Sequence, residues 1–191
     1  TSGNPNLEPE KAFAQEIGLK YSDDKFSGSL AIFNRDSEDL IDYVRQNTSV
    51  NIFTAANIAE VSTQGIEFES AYNFKMNNYN QTITFGYTYL NDDILDQNKD
   101  LSRYSLNTLK HQLITRFTSQ LFKNVRQNII YKHAERTVGT SYNICDASLI
   151  VDFNKFTFSL TANNIFNAEY IESGFVQMPP SNVLFGLRYG F

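Results

Sequence analysis

Asp146–Asn163, DASLIVDFNKFTFSLTAN, decides how the rest of the chain is read. Before Asn154-Lys155, Ala147, Leu149, Val151 and Phe153 alternate with Asp146, Ser148, Ile150 and Asp152, and only Ile150 is out of step. After it, Phe156, Phe158, Leu160 and Ala162 alternate with Thr157, Ser159, Thr161 and Asn163. A period of two puts successive side chains on opposite faces, so each half is a strand with one apolar face, joined by a short turn. Val183, Phe185, Leu187, Tyr189 and Phe191 extend the same alternation to the last residue.

The pattern repeats upstream. Ile83, Phe85, Tyr87 and Tyr89 oppose Thr82, Thr84, Gly86 and Thr88; Ile66, Phe68, Tyr72 and Phe74 oppose Glu67, Glu69 and Asn73. Residues 109–119 and 124–135 alternate less cleanly, residues 26–43 make a further strand, and Phe13, Ile17, Leu19 and Tyr21 oppose Glu16, Gly18 and Lys20. About nine strands result. Connections at 22–25, 75–80, 121–124 and 154–155 are short, whereas those near 44–51, 91–107, 136–141 and 166–181 are mostly longer. Strict alternation of short and long is the mark of an antiparallel up-and-down meander whose two rims differ.

Composition agrees. The 191 residues hold 16 Phe, 11 Tyr and 21 Asn but no Trp, which favours strands and polar turns over helices. A net charge of −5, from 16 basic and 21 acidic residues spread along the chain, leaves no basic stripe for nucleic acid. Cys145 has no disulfide partner, and His111 and His133 stand apart from any metal-ligand spacing. The sequence has neither an apolar run long enough for a transmembrane helix nor a secretory leader pattern. A membrane remains open, because transmembrane strands need only about 9 to 11 residues of alternating character.

Strand length separates the barrel types. Ile52–Phe74, as one strand, would span roughly 75 Å at about 3.3 Å per residue, far beyond the apolar band of about 25 Å on an outer-membrane barrel. Such strands project outside the membrane; a soluble sandwich would instead need a break near Glu60–Thr63. The non-apolar face carries Thr, Ser, Asn, Glu, Lys and Arg, which suits a hydrated or plugged lumen. A soluble β-sandwich or lipocalin-like binding module is the alternative, with the same alternation read as core and water.

Specific segments favour the barrel. Asn4-Pro5-Asn6-Leu7-Glu8-Pro9-Glu10 and the strand Phe13–Tyr21, then Asp39-Leu40-Ile41, then Ala55–Val61 with Gly65-Ile66-Glu67-Phe68-Glu69, occur in that order. Asn163-Asn164-Ile165-Phe166-Asn167-Ala168-Glu169-Tyr170, Met178-Pro179-Pro180 and the strand to Phe191 follow. Together these resemble the barrel of TonB-dependent outer-membrane receptors, with Pro180-Ser181 standing where many members carry Gly-Arg. The resemblance implies the C-terminal portion of a barrel of about 22 strands, residues 1–191 forming one barrel segment without the plug domain and the N-terminal strands. It implies a receptor of the Gram-negative outer membrane that takes up a bulky scarce nutrient, cobalamin or a siderophore-like ligand, and the SRYSLNTLKHQL stretch is similar to vitamin B12 receptors.

The resemblance also implies partners: outer-membrane lipid, the barrel-assembly machinery, the TonB complex through the plug, the small-molecule nutrient and a surface lipoprotein. Short turns become periplasmic and long loops extracellular, so the last strand, with Leu187, Tyr189 and Phe191, carries the barrel-assembly signal. An apolar edge strand is physically a template for strand addition.

No catalytic pattern survives. Glu67 and Glu69 share a strand face where a lumen wants polar groups, and Asp92, Asp93, Asp96 and Asp100 lack the glycine and closing glutamate of a calcium loop. His111 has no serine and carboxylate at catalytic spacing, so an outer-membrane enzyme is set aside and no cofactor is expected. Ligand contact belongs on long loops over a rigid scaffold, which selects Arg103 and Tyr104 in the 91–107 loop, and Phe175 and Gln177 in the last loop.

Overall fold

The computed structural model describes residues 3–45, 52–58, 60–95, 101–102, 109–137, 139, 141–172 and 176–191. These form strands β1 (Lys11–Ser22), β2 (Phe26–Glu38), β3 (Leu40–Arg45), β4 (Thr54–Ile58), β5 (Glu60–Met76) and β6 (Tyr79–Leu95). There follow β7 (Leu101–Ser102), β8 (Leu109–Phe122), β9 (Val125–Arg136), β10 (Tyr142–Phe153), β11 (Phe156–Asn163) and β12 (Asn182–Tyr189). Nine of them build one antiparallel sheet in the order β1-β2-β5-β6-β8-β9-β10-β11-β12, and the other three build a small sheet, β4-β3-β7. The nine expected strands are the nine legs of this meander.

One leg carries a break. The run expected over 26–43 divides at Asp39, whose φ is +57°. The run expected from Ile52 to Phe74 is described as β4 and β5. Pairing continues past Asp39 without slipping: Ser37 faces Val61, and Leu40 then faces Ile58. β2–β3 and β4–β5 are therefore one long bent hairpin that rises past its neighbours.

The short turns are built from asparagine and aspartate. Between β5 and β6, Asn77 and Asn78 have φ of +49° and +67°, the left-handed pair a two-residue hairpin requires. Asn154 does the same at +53°, and the Asp23 carboxylate accepts bonds from the Lys25 and Phe26 amides at 2.8 and 2.7 Å. At the far end β12 stops at Tyr189, and the Gly190 amide donates to the Lys155 carbonyl at 2.8 Å in the same register.

Register sorts the faces, since cross-strand partners point the same way. Leu19–Leu30–Phe68–Tyr87–Leu113 is one row of partners, and Phe26–Tyr72–Ile83–Phe117–Ile129–Ala147–Ala162–Val183 is another. On the opposite face Glu67 pairs with Ala31 and Thr88, Glu69 with Ser29 and Gly86, Arg116 with Thr84 and Ile130, and Arg188 with Thr157. Phe33 is a large ring there, and its tip lies over Gly65, where an added β-carbon would clash with the ring's Cζ.

The apolar face has an upper limit, which Phe13 oversteps on β1. Gln15, Asn34, Gln64 and Asn91 are consecutive partners that cap β1, β2, β5 and β6; the limit then steps down one same-face position to His111 on β8 and another to His133 and Asn143 on β9 and β10. A descending limit means that the strands run obliquely to the band. On β5 the apolar face from Ile66 to Met76 covers about 33 Å along the strand, or about 25 Å in height at a tilt near 40°.

The sheet is a single layer. Among the described residues the buried apolar side chains are Val44, Ala55, Ala134, Tyr142 and Ile144, whereas Ile17, Leu19, Phe158, Leu160, Phe185 and Leu187 stand exposed on the apolar face. The described residues thus form no second sheet of the kind a β-sandwich packs against such a face.

Candidate functional site at the loop end of the sheet

Two polar clasps fix the loop end. In the first, the Asn57 side chain accepts from the Glu8 amide at 2.8 Å and donates to the carbonyls of Glu8 and Asp39 at 2.9 and 2.7 Å. Glu10 accepts from the Ile41 amide at 2.7 Å. Three separate sequence motifs, Asn4–Glu10, Asp39–Ile41 and Ala55–Val61, meet here and hold the bent hairpin where it passes the band.

The second clasp shapes the segment after β11. Asn164, only 3 % exposed and with φ +48°, donates its own amide to Asp146 at 2.7 Å. Its side chain accepts from the Ala168 amide at 2.9 Å and donates to the carbonyls of Ala168 and Pro179 at 2.9 and 3.3 Å. Asn167 accepts from the Ser181 amide at 3.0 Å, and the Met178 amide donates to the Tyr170 carbonyl at 3.0 Å. The asparagines of the 163–170 motif are thus the internal scaffold of the loop.

This scaffold turns the loop back over the polar face. Tyr170 stacks on Tyr142 with centroids 4.7 Å apart and packs on the cluster of Ala134, Tyr142 and Ile144. Glu172 forms an ion pair with Lys132 and accepts from the Tyr142 hydroxyl at 3.3 Å, while the Lys132 ammonium lies 5.8 Å from the Tyr142 ring centre. The hydrogen bond from Lys132, together with the charges of Lys132 and Arg136, holds the Glu172 carboxyl below the usual carboxylate range. Burial, followed by the Glu172 charge, pushes the Tyr170 phenol up.

A protein-family model described as TonB dependent receptor-like, beta-barrel matches residues 1–167. The chain belongs to this family. No relative was found among curated protein sequences. Among solved structures, the fold is similar to the FrpB iron transporter from Neisseria meningitidis, with TM-score 0.72 and 16 % identity over 98 % of this chain and 32 % of that one. It is also similar to the siderophore receptor PirA from Acinetobacter baumannii, with TM-score 0.74, 16 % identity, and coverage of 98 % and 33 %. The pyoverdine receptor FpvA from Pseudomonas aeruginosa gives TM-score 0.65 and 20 % identity, with coverage of 97 % and 30 %. At these identities the likeness is one of fold, and this chain spans about a third of each of those chains.

Within this family barrel the residues expected to matter are distributed unevenly. Arg103, Tyr104 and Phe175 lie outside the described residues. Gln177 is exposed, and its backbone bridges to Ile171 at the base of the last loop. Leu187 and Tyr189 lie on the apolar face opposite Phe158 and Phe156, with the Tyr189 ring 5.0 Å from Phe156 and 5.4 Å from a fully exposed Phe191. Glu67 and Glu69 lie on the polar face as expected. Asp92 accepts a bond from Thr63 at 2.6 Å, and His111 bonds the Tyr87 hydroxyl at 2.8 Å beside Tyr89. Among the described residues there is no group of three or more His, Cys, Asp or Glu placed to hold a metal.

Sequence reasoning missed Lys132, Tyr142 and Glu172. Lys132 is an even-numbered β9 position facing the polar side, and Glu172 comes two residues after the motif tyrosine. Nothing in the spacing of either position announces that they meet.

Proposed function

We propose that this chain is the C-terminal barrel segment of a TonB-dependent receptor in a Gram-negative outer membrane. In this reading the plug domain and the first barrel strands belong to other parts of the parent protein. The observation that carries it is the single-layer meander: one face is a continuous apolar band, the other is polar, and short turns alternate with long loops. Such a wall is stable where lipid covers the band and water fills the inside. The short turns then face the periplasm and the loops the exterior.

The parent binds a bulky nutrient at its outer mouth and passes it inward when the TonB complex acts on the plug. No bond is made or broken, so the segment supplies wall, selectivity and gated passage rather than catalysis. The names of the similar structures, an iron transporter and two siderophore receptors, favour a siderophore-like ligand over cobalamin. Arg103, Tyr104, Phe175 and Gln177 are the proposed loop contacts, and Leu187, Tyr189 and Phe191 the signal presented to the barrel-assembly machinery. A surface lipoprotein over the loops is the remaining proposed partner.

Accessibility tests this reading. With Cys145 replaced by Ser, a cysteine at Gly139 in the β9–β10 loop or at Asn154 in the β10–β11 turn is introduced into the full-length parent and exposed to a membrane-impermeant maleimide on intact cells. The expected result is labelling at 139 alone, with 154 labelled only after the outer membrane is opened. Labelling of 154 on intact cells, or recovery of the parent in a detergent-free soluble fraction, overturns it.

A further inference from the structure

The ion pair between Lys132 and Glu172 differs in kind from its companions. Arg126–Asp152 and Lys110–Glu135 each join neighbouring strands of the sheet, and Lys11–Asp39 joins β1 to the bend of the long hairpin. In those pairs both partners are carried by strands of the wall or by the hairpin bend. Glu172 instead reaches Lys132 from the β11–β12 loop, across forty residues of sequence, and can leave with the loop while the wall stays as it is. It is also more sheltered than the strand-to-strand pairs: the Lys132 and Glu172 side chains are 23 % and 32 % exposed.

The seat itself is complete without Glu172. Lys132 and Tyr142 project from adjacent strands on the polar face, next to Ala134 and Ile144, so a cation and a phenol hydroxyl converge over an apolar floor. A partly dehydrated cation beside a hydroxyl donor is a carboxylate receptor, since charge-assisted bonds are strongest where water is excluded. The carboxylate it holds here is a side chain of the molecule itself.

We propose that Lys132 and the Tyr142 hydroxyl form a carboxylate-binding subsite at the barrel mouth, in which Glu172 is an internal competitor. A carboxylate-bearing ligand entering from outside takes the same two contacts, and the freed Glu172 releases the inner part of the β11–β12 loop. This rests on the receptor reading above. Because one carboxylate exchanges for another, the ligand gains little from the seat alone, and its occupancy is set by competition with a tethered group at high effective concentration. Removing the Glu172 charge therefore tightens carboxylate binding and loosens the loop at once.

The test uses the full-length parent in lipid nanodiscs, with glutarate as the probe and sodium chloride at matched ionic strength as the control. Amide hydrogen exchange is followed over residues 165–171. Glutarate is expected to speed exchange there severalfold in the wild type. Glu172→Gln exchanges fast without the probe and binds glutarate more tightly. Lys132→Met also exchanges fast and no longer responds to glutarate, while Lys132→Arg restores the response. Equal exchange in glutarate and chloride for the wild type overturns the proposal, as does a Lys132→Met protein that still responds. Wild-type exchange rates in Glu172→Gln overturn it without reliance on the Lys132 variants. Maleimide labelling distinguishes the two levels: a failed exchange experiment with Gly139 labelled and Asn154 protected leaves the receptor reading standing.

Discussion

The two faces of the same strands solve opposite problems. On the apolar face, Leu160 pairs with Leu149 and Phe185 and all three stand uncovered; one residue along, Thr161 pairs with Ser148 and Leu184 on the polar side. The outward side gains from continuity, because any polar atom there meets hydrocarbon. The inward side tolerates mixture, holding carboxylates, guanidinium groups, small residues and, among the described residues, a packed cluster where the last loop folds in. That cluster is a small inclusion on the wetter face, and most of the apolar face is left to lipid.

Charge placed on each face breaks this symmetry most forcefully. Leu160→Lys is expected to cost about 2–4 kcal/mol, the penalty for a lysine near the bilayer midplane, whereas Thr161→Lys is expected to be near neutral. Urea-dependent folding of the parent into vesicles measures both. Equal costs at 160 and 161 would remove the assignment of faces.

The inward inclusion is next. Asn164→Ala removes three side-chain hydrogen bonds at a nearly buried position with φ +48°, and is expected to cost about 2–3 kcal/mol and to expose residues 164–172 to protease. Asn167→Ala, which loses one bond to an exposed amide and also leaves an alanine at φ +50°, should cost less, about 1–2 kcal/mol. Gly65→Ala tests the polar wall away from the loop: the new methyl displaces the Phe33 ring, for about 1–2 kcal/mol of overpacking. In the double variant Phe33→Ala/Gly65→Ala that strain is absent, so the two single costs should not add.

Much of this architecture was legible because it is periodic. Phe156–Ala162 alternate without interruption and Val183–Tyr189 with Leu184 alone out of step, and the registers that join them put the alternating apolar members on one face. The rims were legible from connection length, and the short connections stay short because Asn77, Asn78 and Asn154 supply the left-handed backbone that tight hairpins need. The break at Asp39 was not, because β3 keeps the register of β2 on the facing strand, leaving the hydrophobic pattern almost unmarked. The Lys132–Glu172 seat was illegible for a different reason. It is a long-range contact between a wall residue and a loop whose path is fixed by Asn164, and no local pattern encodes the meeting of the two.

The smallest expected effect sharpens the contrast between wall and loop through pH. A carboxyl whose pKa is lower in the folded loop than when released stabilises the docked form above its released value and loses that contribution as pH falls through the docked one. Glu172 is such a group, held down first by the hydrogen bond from Lys132 and then by the nearby positive charges, while the Tyr170 phenol beside it is pushed up, away from this range. Loop protection over residues 165–171 should therefore be flat from neutral pH to about pH 5 and decline only below about pH 4, where a free glutamate takes up its proton. Glu172→Gln should show no such decline, and Asp146, which receives the Asn164 amide, is the control: if the decline persists in Glu172→Gln, the acid-sensitive element is the Asp146 contact. A loop that loosens alone, with the wall unmoved, is the behaviour expected of an ion pair that joins a mobile element to a fixed one.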